Sequence, residues 1–287
     1  MNDQAKQLRS IVSKGNKQAK TIAVVSGKGG VGKSNTALNF SLELQRRGKK
    51  VLLIDLDVGM GNINILLGTN ADKSIAHLFN DFIPLHGIME LGPLGLSYVA
   101  GGSSLDELIH LDEEKLNFFY KEYEKALYLF DYILFDLGAG ASKSSIAFIL
   151  AADECMVVTT PEPTSITDAY SMIKHIVSKK SDLPLFVLMN RCEDIREGEK
   201  MLIKFKQLVA NFLDYDIKKT GMLPNDKTVQ QAVIRQKPYL LYDSDAPVSV
   251  AMREIAENYL IKSNELNELK PLTFVQRLKR LLPTRER

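Results

Sequence analysis

A glycine-rich segment near the start of the chain constrains the fold most. Residues 27–34 read GKGGVGKS and match the pattern GxxxxGK[ST]. Glycines let the backbone N–H groups of such a loop converge on phosphate oxygens, and this geometry requires a strand before the loop and a helix after it. An apolar, β-branched run begins at Thr21, and a helical pattern extends from Lys33 to Arg47. The segment therefore predicts a phosphate-binding loop inside a βαβ unit.

Short apolar runs and helical patterns alternate along the rest of the chain. The predicted strands are 21–26, 51–55, 96–100, 132–136, 155–159 and 184–189, and the predicted helices are 33–47, 112–130, 142–151, 165–178 and 198–212. Because these strands are apolar throughout, both faces of their sheet must be buried. The pattern predicts one α/β domain over 21–262, a doubly wound and mostly parallel sheet flanked by helices, with appended segments at 1–20 and 263–287.

Composition excludes several classes of protein. The 287 residues are 45% hydrophobic and 25% charged, which is typical of a globular chain. The first twenty residues hold five lysines or arginines and no apolar stretch, and no run approaches the ~18 apolar residues of a spanning helix. Two cysteines, Cys155 and Cys192, without CxxC spacing, are typical of a reducing compartment. The sequence therefore predicts a cytoplasmic protein.

The two residues that end the loop motif supply charge and a metal ligand. The ammonium of Lys33 can neutralise the β and γ oxygens of a nucleotide, and the hydroxyl of Ser34 can bind Mg²⁺. Two aspartates, Asp55 and Asp57, end the next predicted strand. Phosphoryl transfer needs such a group, because its transition state is stabilised by positioning and charge neutralisation rather than by a strong base.

Lys28 makes the loop differ from an ordinary phosphate-binding loop. With this second lysine the segment KGGVGKS resembles the deviant Walker A signature of the MinD/ParA family of ATPases, and the resemblance extends from Thr21 to about Lys262. It implies slow, dimer-dependent hydrolysis of ATP to ADP and phosphate with Mg²⁺. It also implies an ATP-bound homodimer in which Lys28 reaches the phosphates of the other subunit.

The same resemblance assigns roles to acidic and glycine residues. Asp57, 24 residues after Lys33, would orient the attacking water and hold Mg²⁺ through water. Asp136 would be the Walker B-type carboxylate, also on Mg²⁺ through water, and Gly138 and Gly140 would form with Asp57 the switch that senses the γ-phosphate. For Asp55, a structural role in orienting the loop and a catalytic role both remain open.

Nucleotide-binding residues follow from the motif and from the resemblance together. The prediction that the base is adenine rather than guanine rests on the resemblance, which places an asparagine amide and a second loop near the base. The full predicted set is Gly27, Lys28, Gly29, Gly30, Val31, Gly32, Lys33, Ser34, Asn35, Asn190, Arg191, Pro224 and Asp226.

The C-terminal segment contains a short basic amphipathic helix between Pro271 and Pro283. Its apolar arc holds Phe274, Val275, Leu278, Leu281 and Leu282, and outside that arc lie Arg277, Lys279 and Arg280. The pattern predicts binding to an anionic membrane surface, weak for one copy and stronger for the two copies of a dimer. ATP would then switch membrane residence. Packing of the helix against its own domain is the alternative.

Charge is distributed unevenly along the chain. Residues 1–20 carry a net charge of +4 and residues 270–287 a net charge of +5, so the remaining body carries −7 within a total of +2. A body this acidic disfavours specific DNA binding, whereas basic ends favour acidic partners or anionic lipid.

The N-terminal residues carry a second resemblance within the same family. Residues 3–9 read DQAKQLR and match DQAxxLR, and with the DVGMGN of residues 57–62 they resemble the flagellar-number regulators. The resemblance implies stimulation of an FlhF-type GTPase through Gln4, Leu8 and Arg9, and contact with flagellar switch-complex proteins. A MinD-like division-site regulator, a ParA-like DNA-partition ATPase and a nucleotide-binding scaffold without turnover are the alternatives.

Overall fold

One mixed sheet forms the centre of the molecule. The computed structural model describes residues 18–57, 62–102, 113–180, 182–265 and 272–282. Within these ranges the strands are β1 (Lys20–Val25), β2 (Val51–Leu56), β3 (Glu90–Leu91), β4 (Ser97–Val99), β5 (Tyr132–Leu137), β6 (Glu154–Thr159), β7 (Leu185–Cys192) and β8 (Lys218–Pro224). Their order is β3-β4-β2-β5-β1-β6-β7-β8, and the β3–β4 pair is antiparallel while the other pairs are parallel. The predicted fold class is confirmed.

Helices cover both faces of this sheet. In chain order they are α1 (Lys33–Arg46), α2 (Ile63–Leu67), α3 (Ile75–Asn80), α4 (Glu113–Ala126), α5 (Lys143–Ala151), α6 (Pro163–Lys179), α7 (Ile195–Leu213), α8 (Lys227–Ile234), α9 (Tyr239–Tyr242), α10 (Pro247–Glu265) and α11 (Phe274–Leu281). One apolar core lies under α3 to α7 and α11, and a second lies under α1, α2 and α8 to α10. The fold is therefore a three-layer sandwich.

The central strands explain why the sequence reads as continuous apolar runs. Every residue of β2, β5 and β6 is buried. Successive side chains point to opposite faces, so that in β1 Ala23 belongs to one core and Val24 to the other. A strand covered on both sides by helices cannot alternate apolar with polar residues.

The strand order places one crevice at the carboxyl ends of the strands. β1 lies between β5 and β6; the chain runs from β1 to β2 on one side of it and later crosses from β5 to β6 on the other side, so the direction of winding reverses here. Ligands of open α/β sheets bind at such a reversal point. The loop of residues 27–34 follows β1, and Asp57, Gly138 and Asn190 follow or end β2, β5 and β7 at the same edge.

Helix α11 packs against its own domain. Phe274, Val275 and Leu278 are buried in the core beside α4 and α5, and the ring centroid of Phe274 lies 4.7 Å from that of Tyr123. Thr273 begins the helix, because its hydroxyl and the side chain of Gln276 form a reciprocal capping box. The alternative of self-packing is thus the arrangement that the structure has.

Two of the basic residues that lie outside the apolar arc of α11 contact the domain. The guanidinium of Arg277 donates to the carbonyls of Ala151 and Leu272 and to the carboxylate of Asp153, the last at 2.7 Å. The ammonium of Lys279 lies 5.0 Å from the centre of the Tyr120 ring. These long side chains reach back to the domain because their stems lie along its apolar surface. Arg280 and Leu281 are exposed.

Candidate functional site

Close packing around the loop of residues 27–34 explains two of its glycines. Gly32 has φ of 89°, and a Cβ built on it would lie 2.3 Å from Nδ2 of Asn190. A Cβ on Gly27 would lie 2.3 Å from the backbone of Asp168 in α6. The loop therefore sits against β7 and α6 with no room for side chains at these positions. The amino end of α1 follows directly, with Lys33 as its first residue.

Lys33 is the cation at the centre of the site. Its side chain is 6% exposed, and its ammonium lies 2.5 Å from Oδ1 of Asp136 and 3.3 Å from Oδ2 of Asp57. Burial lowers the pKa of Lys33, but the carboxylates of Asp136 and Asp57 raise it by more, so the side chain stays charged. In the free protein this ammonium neutralises carboxylates; with a nucleotide bound, the same charge is available to phosphate oxygens.

The oxygen atoms around Lys33 fit a magnesium ion. Oδ2 of the fully buried Asp136 accepts no hydrogen bond within the described part of the chain, and the hydroxyl of Ser34 lies 3.4 Å from Nζ of Lys33. The described residues hold no group of three His, Cys, Asp or Glu side chains that would cage a metal. Mg²⁺ is commonly held by one or two protein oxygens together with phosphates and waters, so this donor set suits it.

The two predicted switch segments lie beside the loop. Asp57 follows the end of β2, and its carboxylate faces Lys33. Gly140, with φ of 90°, donates its N–H to the carbonyl of Ser26, the residue that precedes the loop. The structure thus places both segments in contact with residues of the phosphate-binding loop or its flank. Residues 58–61 lie outside the described ranges.

Lys28 contacts its own chain. Its ammonium donates to Oε2 of Glu162 at 2.9 Å and to the hydroxyl of Thr164 at 3.2 Å. The hydrogen bond and the positive charge of Lys28 hold the pKa of Glu162 below its usual range. Sequence reasoning missed Glu162 and Thr164, since only the fold brings the turn after β6 beside the loop. To reach another subunit, Lys28 has to leave this pair.

The predicted base-recognition residues fall into two groups. Nδ2 of Asn190 donates to the carbonyl of Val31 at 2.8 Å, and Oδ1 accepts from the N–H of Arg191, which has φ of 56°. Asn190 therefore ties the end of β7 to the phosphate-binding loop. Pro224 ends β8 and pairs in register with Cys192, so it lies at the same edge.

Asp226 connects two helices behind the predicted base-recognition loop. Its two oxygens accept the N–H groups of Thr228 and Val248, at 2.9 Å and 3.2 Å. It caps α8 and links it to the start of α10. Burial raises its pKa, but these hydrogen bonds lower it by more. Each carboxylate oxygen keeps a second acceptor site, so the contact of Asp226 with the nucleotide stays a prediction beside this structural role.

Comparisons with known proteins agree with this architecture. A family profile described as ParA, NUBPL iron-transfer P-loop NTPase, matches residues 17–260. The antiactivator FleN of Pseudomonas aeruginosa is 32% identical over 237 residues, which are 82% of this chain and 84% of FleN. The flagellum site-determining protein YlxH of Helicobacter pylori is 35% identical over 250 residues, 83% of each chain.

Solved structures give the same fold. The septum site-determining protein MinD of Pyrococcus horikoshii, in complex with Mg-ADP, matches with a TM-score of 0.69 at 22% identity, over 88% of this chain and 100% of that chain. At this identity the match shows the fold alone.

None of the described helices is both long and apolar enough to cross a bilayer. The predicted GTPase contacts Gln4, Leu8 and Arg9 lie outside the described residues.

Proposed function

This chain belongs to the ParA/MinD family of P-loop NTPases, and we propose that it is an ATPase that dimerises with ATP and regulates the number or placement of flagella. One observation carries the ATPase part: Lys33, Asp57 and the unsatisfied oxygen of Asp136 converge beside the phosphate-binding loop. The flagellar part rests on YlxH, whose name states that it determines the flagellum site, and on the match of residues 3–9 to DQAxxLR.

The proposed chemistry assigns one task to each side chain. Backbone N–H groups of residues 27–34 bind the phosphates, and Lys33 turns from the carboxylates to the β and γ oxygens. Ser34, Asp136 and Asp57 would hold Mg²⁺, which would supply further neutralisation of the phosphate charge. Asp57 orients the attacking water. Asn190 holds the loop to the end of β7, where the base would lie.

The proposed dimer uses Lys28 in trans. In the free chain, Lys28 is held by Glu162 and Thr164, at the rim of the crevice. The Lys28 and Glu162 side chains are 35% and 58% exposed, and a pair this exposed contributes little free energy, so exchange of Lys28 to a phosphate of the partner subunit costs little.

Lys28→Ala is therefore expected to lower ATP-dependent dimer formation and turnover, while the affinity of dilute, monomeric protein for ATP stays nearly unchanged. Nucleotide titration at low protein concentration and light scattering at high concentration measure the two effects. Lys50→Ala is the matched control, since it removes an exposed lysine at the opposite end of β2. A loss of affinity as severe as that of Lys33→Ala would mean that both lysines act within one subunit.

Membrane association is the next part of the proposal. Docking buries Phe274 and Leu278, so the apolar face of α11 is occupied by the domain in this state. We infer that α11 exchanges between this docked state and an anionic membrane surface. Basic side chains gain about 1 kcal/mol each near anionic lipid, and a dimer presents two helices, so binding strengthens when ATP joins two copies.

The N-terminal segment is proposed to act on an FlhF-type GTPase. Residues 1–20 are net +4 and contain few large apolar groups, a composition typical of segments that bind a partner surface. Leu8 lies one helical turn after Gln4, and the pair can place an anchor and an amide on one face. The amide of Gln4 would then support hydrolysis in the partner by orienting water or phosphate.

A synthetic peptide of residues 1–20 is expected to stimulate GTP hydrolysis by FlhF, and Gln4→Ala or Leu8→Ala should remove most of the stimulation. Gln7→Ala is the matched control, because it occupies a variable position of DQAxxLR. Phosphate release from GTP measures the rate. If neither the peptide nor the full-length protein stimulates FlhF, the main reason to prefer a flagellar regulator over a MinD-like division-site regulator is lost.

A further inference from the structure

Asp55 is a buried carboxylate beneath the candidate site. It is 0% exposed and lies in β2, directly opposite Asp136 in the register of β2 and β5. Oδ1 accepts the N–H of Asp57 at 3.0 Å, and Oδ2 accepts the N–H groups of Asn62 and Ile63 at 2.8 Å and 3.2 Å. One carboxylate thus links the end of β2 to the start of α2.

The environment of Asp55 differs from that of the residues that face the crevice. Asp136 keeps an oxygen without a hydrogen bond among the described residues, and Asp57 is partly exposed. Both oxygens of Asp55, in contrast, are occupied by backbone donors, and its side chain has no exposed surface. A nucleotide or a metal ion in the crevice therefore has no direct path to it.

The hydrogen bonds of Asp55 fix the backbone that carries Asp57. The N–H of Asp57 donates to Oδ1 of Asp55, two residues earlier in the chain. This bond holds the Cα of Asp57, and therefore the distance from its carboxylate to the ammonium of Lys33 depends on Asp55. The other oxygen accepts the N–H groups of Asn62 and Ile63 at the start of α2. A carboxylate can do this because it offers acceptors on two oxygens, whereas an amide offers one.

We propose that Asp55 is a positioning residue for hydrolysis: it sets the place of Asp57 relative to Lys33 and Asp136 without touching the nucleotide. The proposal rests on the proposed ATPase function and assigns to Asp55 the structural alternative that the sequence left open.

Asp55→Asn tests the proposal with almost no change in volume. One oxygen of the side chain becomes an NH₂ group that faces a backbone donor, so at least one of the three hydrogen bonds is lost. The expected result is a fall in kcat of about 10- to 100-fold, as for other displacements near 1 Å at a catalytic group. The affinity for ATP and the ATP-dependent dimer should be retained, because Lys33 and the loop are unchanged.

A second variant removes one of these hydrogen bonds by deleting its backbone donor instead of its acceptor. Asn62→Pro removes the N–H that donates to Asp55 at 2.8 Å and leaves Asp55 in place. Asn62 has φ of −97° at the start of α2, which lies near the range of proline. Asn62→Ala is the matched control, since it keeps the N–H and the asparagine side chain makes no capping hydrogen bond. We expect Asn62→Pro to lower kcat and Asn62→Ala to keep the parental rate.

Hydrogen exchange gives a readout that is independent of turnover. In the protein without nucleotide, Asp55→Asn should speed exchange of the amides of Asp57, Asn62 and Ile63, whereas Asp57→Ala should leave those of Asn62 and Ile63 slow. If the parental protein hydrolyses no ATP, the ATPase proposal fails, and exchange still tests the role of Asp55.

Three results would overturn the positioning role. The first is a parental kcat for Asp55→Asn, and the second is a loss of ATP binding as large as that of Lys33→Ala. The third is equal turnover of Asn62→Pro and Asn62→Ala. Should Asp55→Asn fail to fold, comparison of Asn62→Pro with Asn62→Ala tests the positioning role, because both variants retain the carboxylate of Asp55.

Discussion

Asp57→Ala is expected to bind ATP, to lose turnover by about 100-fold or more, and to accumulate as an ATP-bound dimer. Its carboxylate lies 3.3 Å from the ammonium of Lys33 at the open side of the site, where it can reach a water molecule beside a bound phosphate. The loop and Lys33 remain, so binding is retained while the positioned water is lost. Phosphate release and light scattering with ATP measure the two effects.

Lys33→Ala is the matched control for that experiment. It should lose ATP binding altogether, because the loop is left without its cation. The substitution also leaves the buried carboxylate of Asp136 without its cation, since Nζ of Lys33 lies 2.5 Å from Oδ1 of Asp136. Removing one partner of such a buried ion pair costs about 3–5 kcal/mol of stability. Thermal unfolding must therefore accompany the binding assay. Parental hydrolysis by Asp57→Ala would show that the role assigned to Asp57 is wrong.

A substitution in the domain that weakens the packing of α11 against it is expected to bring the protein to membranes without ATP. Asp153→Asn removes the negative charge that pairs with Arg277 at 2.7 Å and keeps an oxygen for the N–H of Thr21. The helix sequence is unchanged, so its affinity for lipid is unchanged while its docked state is destabilised. Co-sedimentation with phosphatidylglycerol vesicles in ADP should rise toward the level of the parental protein in ATP, and should fall at high salt.

The matched control removes the apolar anchors themselves. Phe274→Glu with Leu278→Glu cannot re-dock, because both positions lie in the core, and cannot insert into lipid. This variant should not sediment with vesicles in ADP or ATP. Sedimentation of the parental protein that is equal in the two nucleotides would exclude an ATP switch, and sedimentation of the double variant would exclude α11 as the anchor.

The fold and the centre of the site are predictable from the sequence because they depend on short patterns. Continuous apolar runs determine buried parallel strands, and the spacing GxxxxGK[ST] places Lys33 and Ser34 at the start of a helix. The weaker elements were missed. β3 has two residues, and β8 begins with two lysines, so neither carries enough apolar pattern to be read as a strand.

What the sequence determined by itself is a phosphate-binding α/β domain with an amphipathic helix near its end. The tertiary structure decided which partners its polar and apolar groups have. Asp55 accepts hydrogen bonds from backbone N–H groups seven and eight residues away, Lys28 pairs with Glu162, and Asp226 caps α8. The amphipathic pattern of α11 fits a membrane and a protein core equally well, since both are apolar. Only the packing of α4 and α5, distant in sequence, supplies the surface that buries it here.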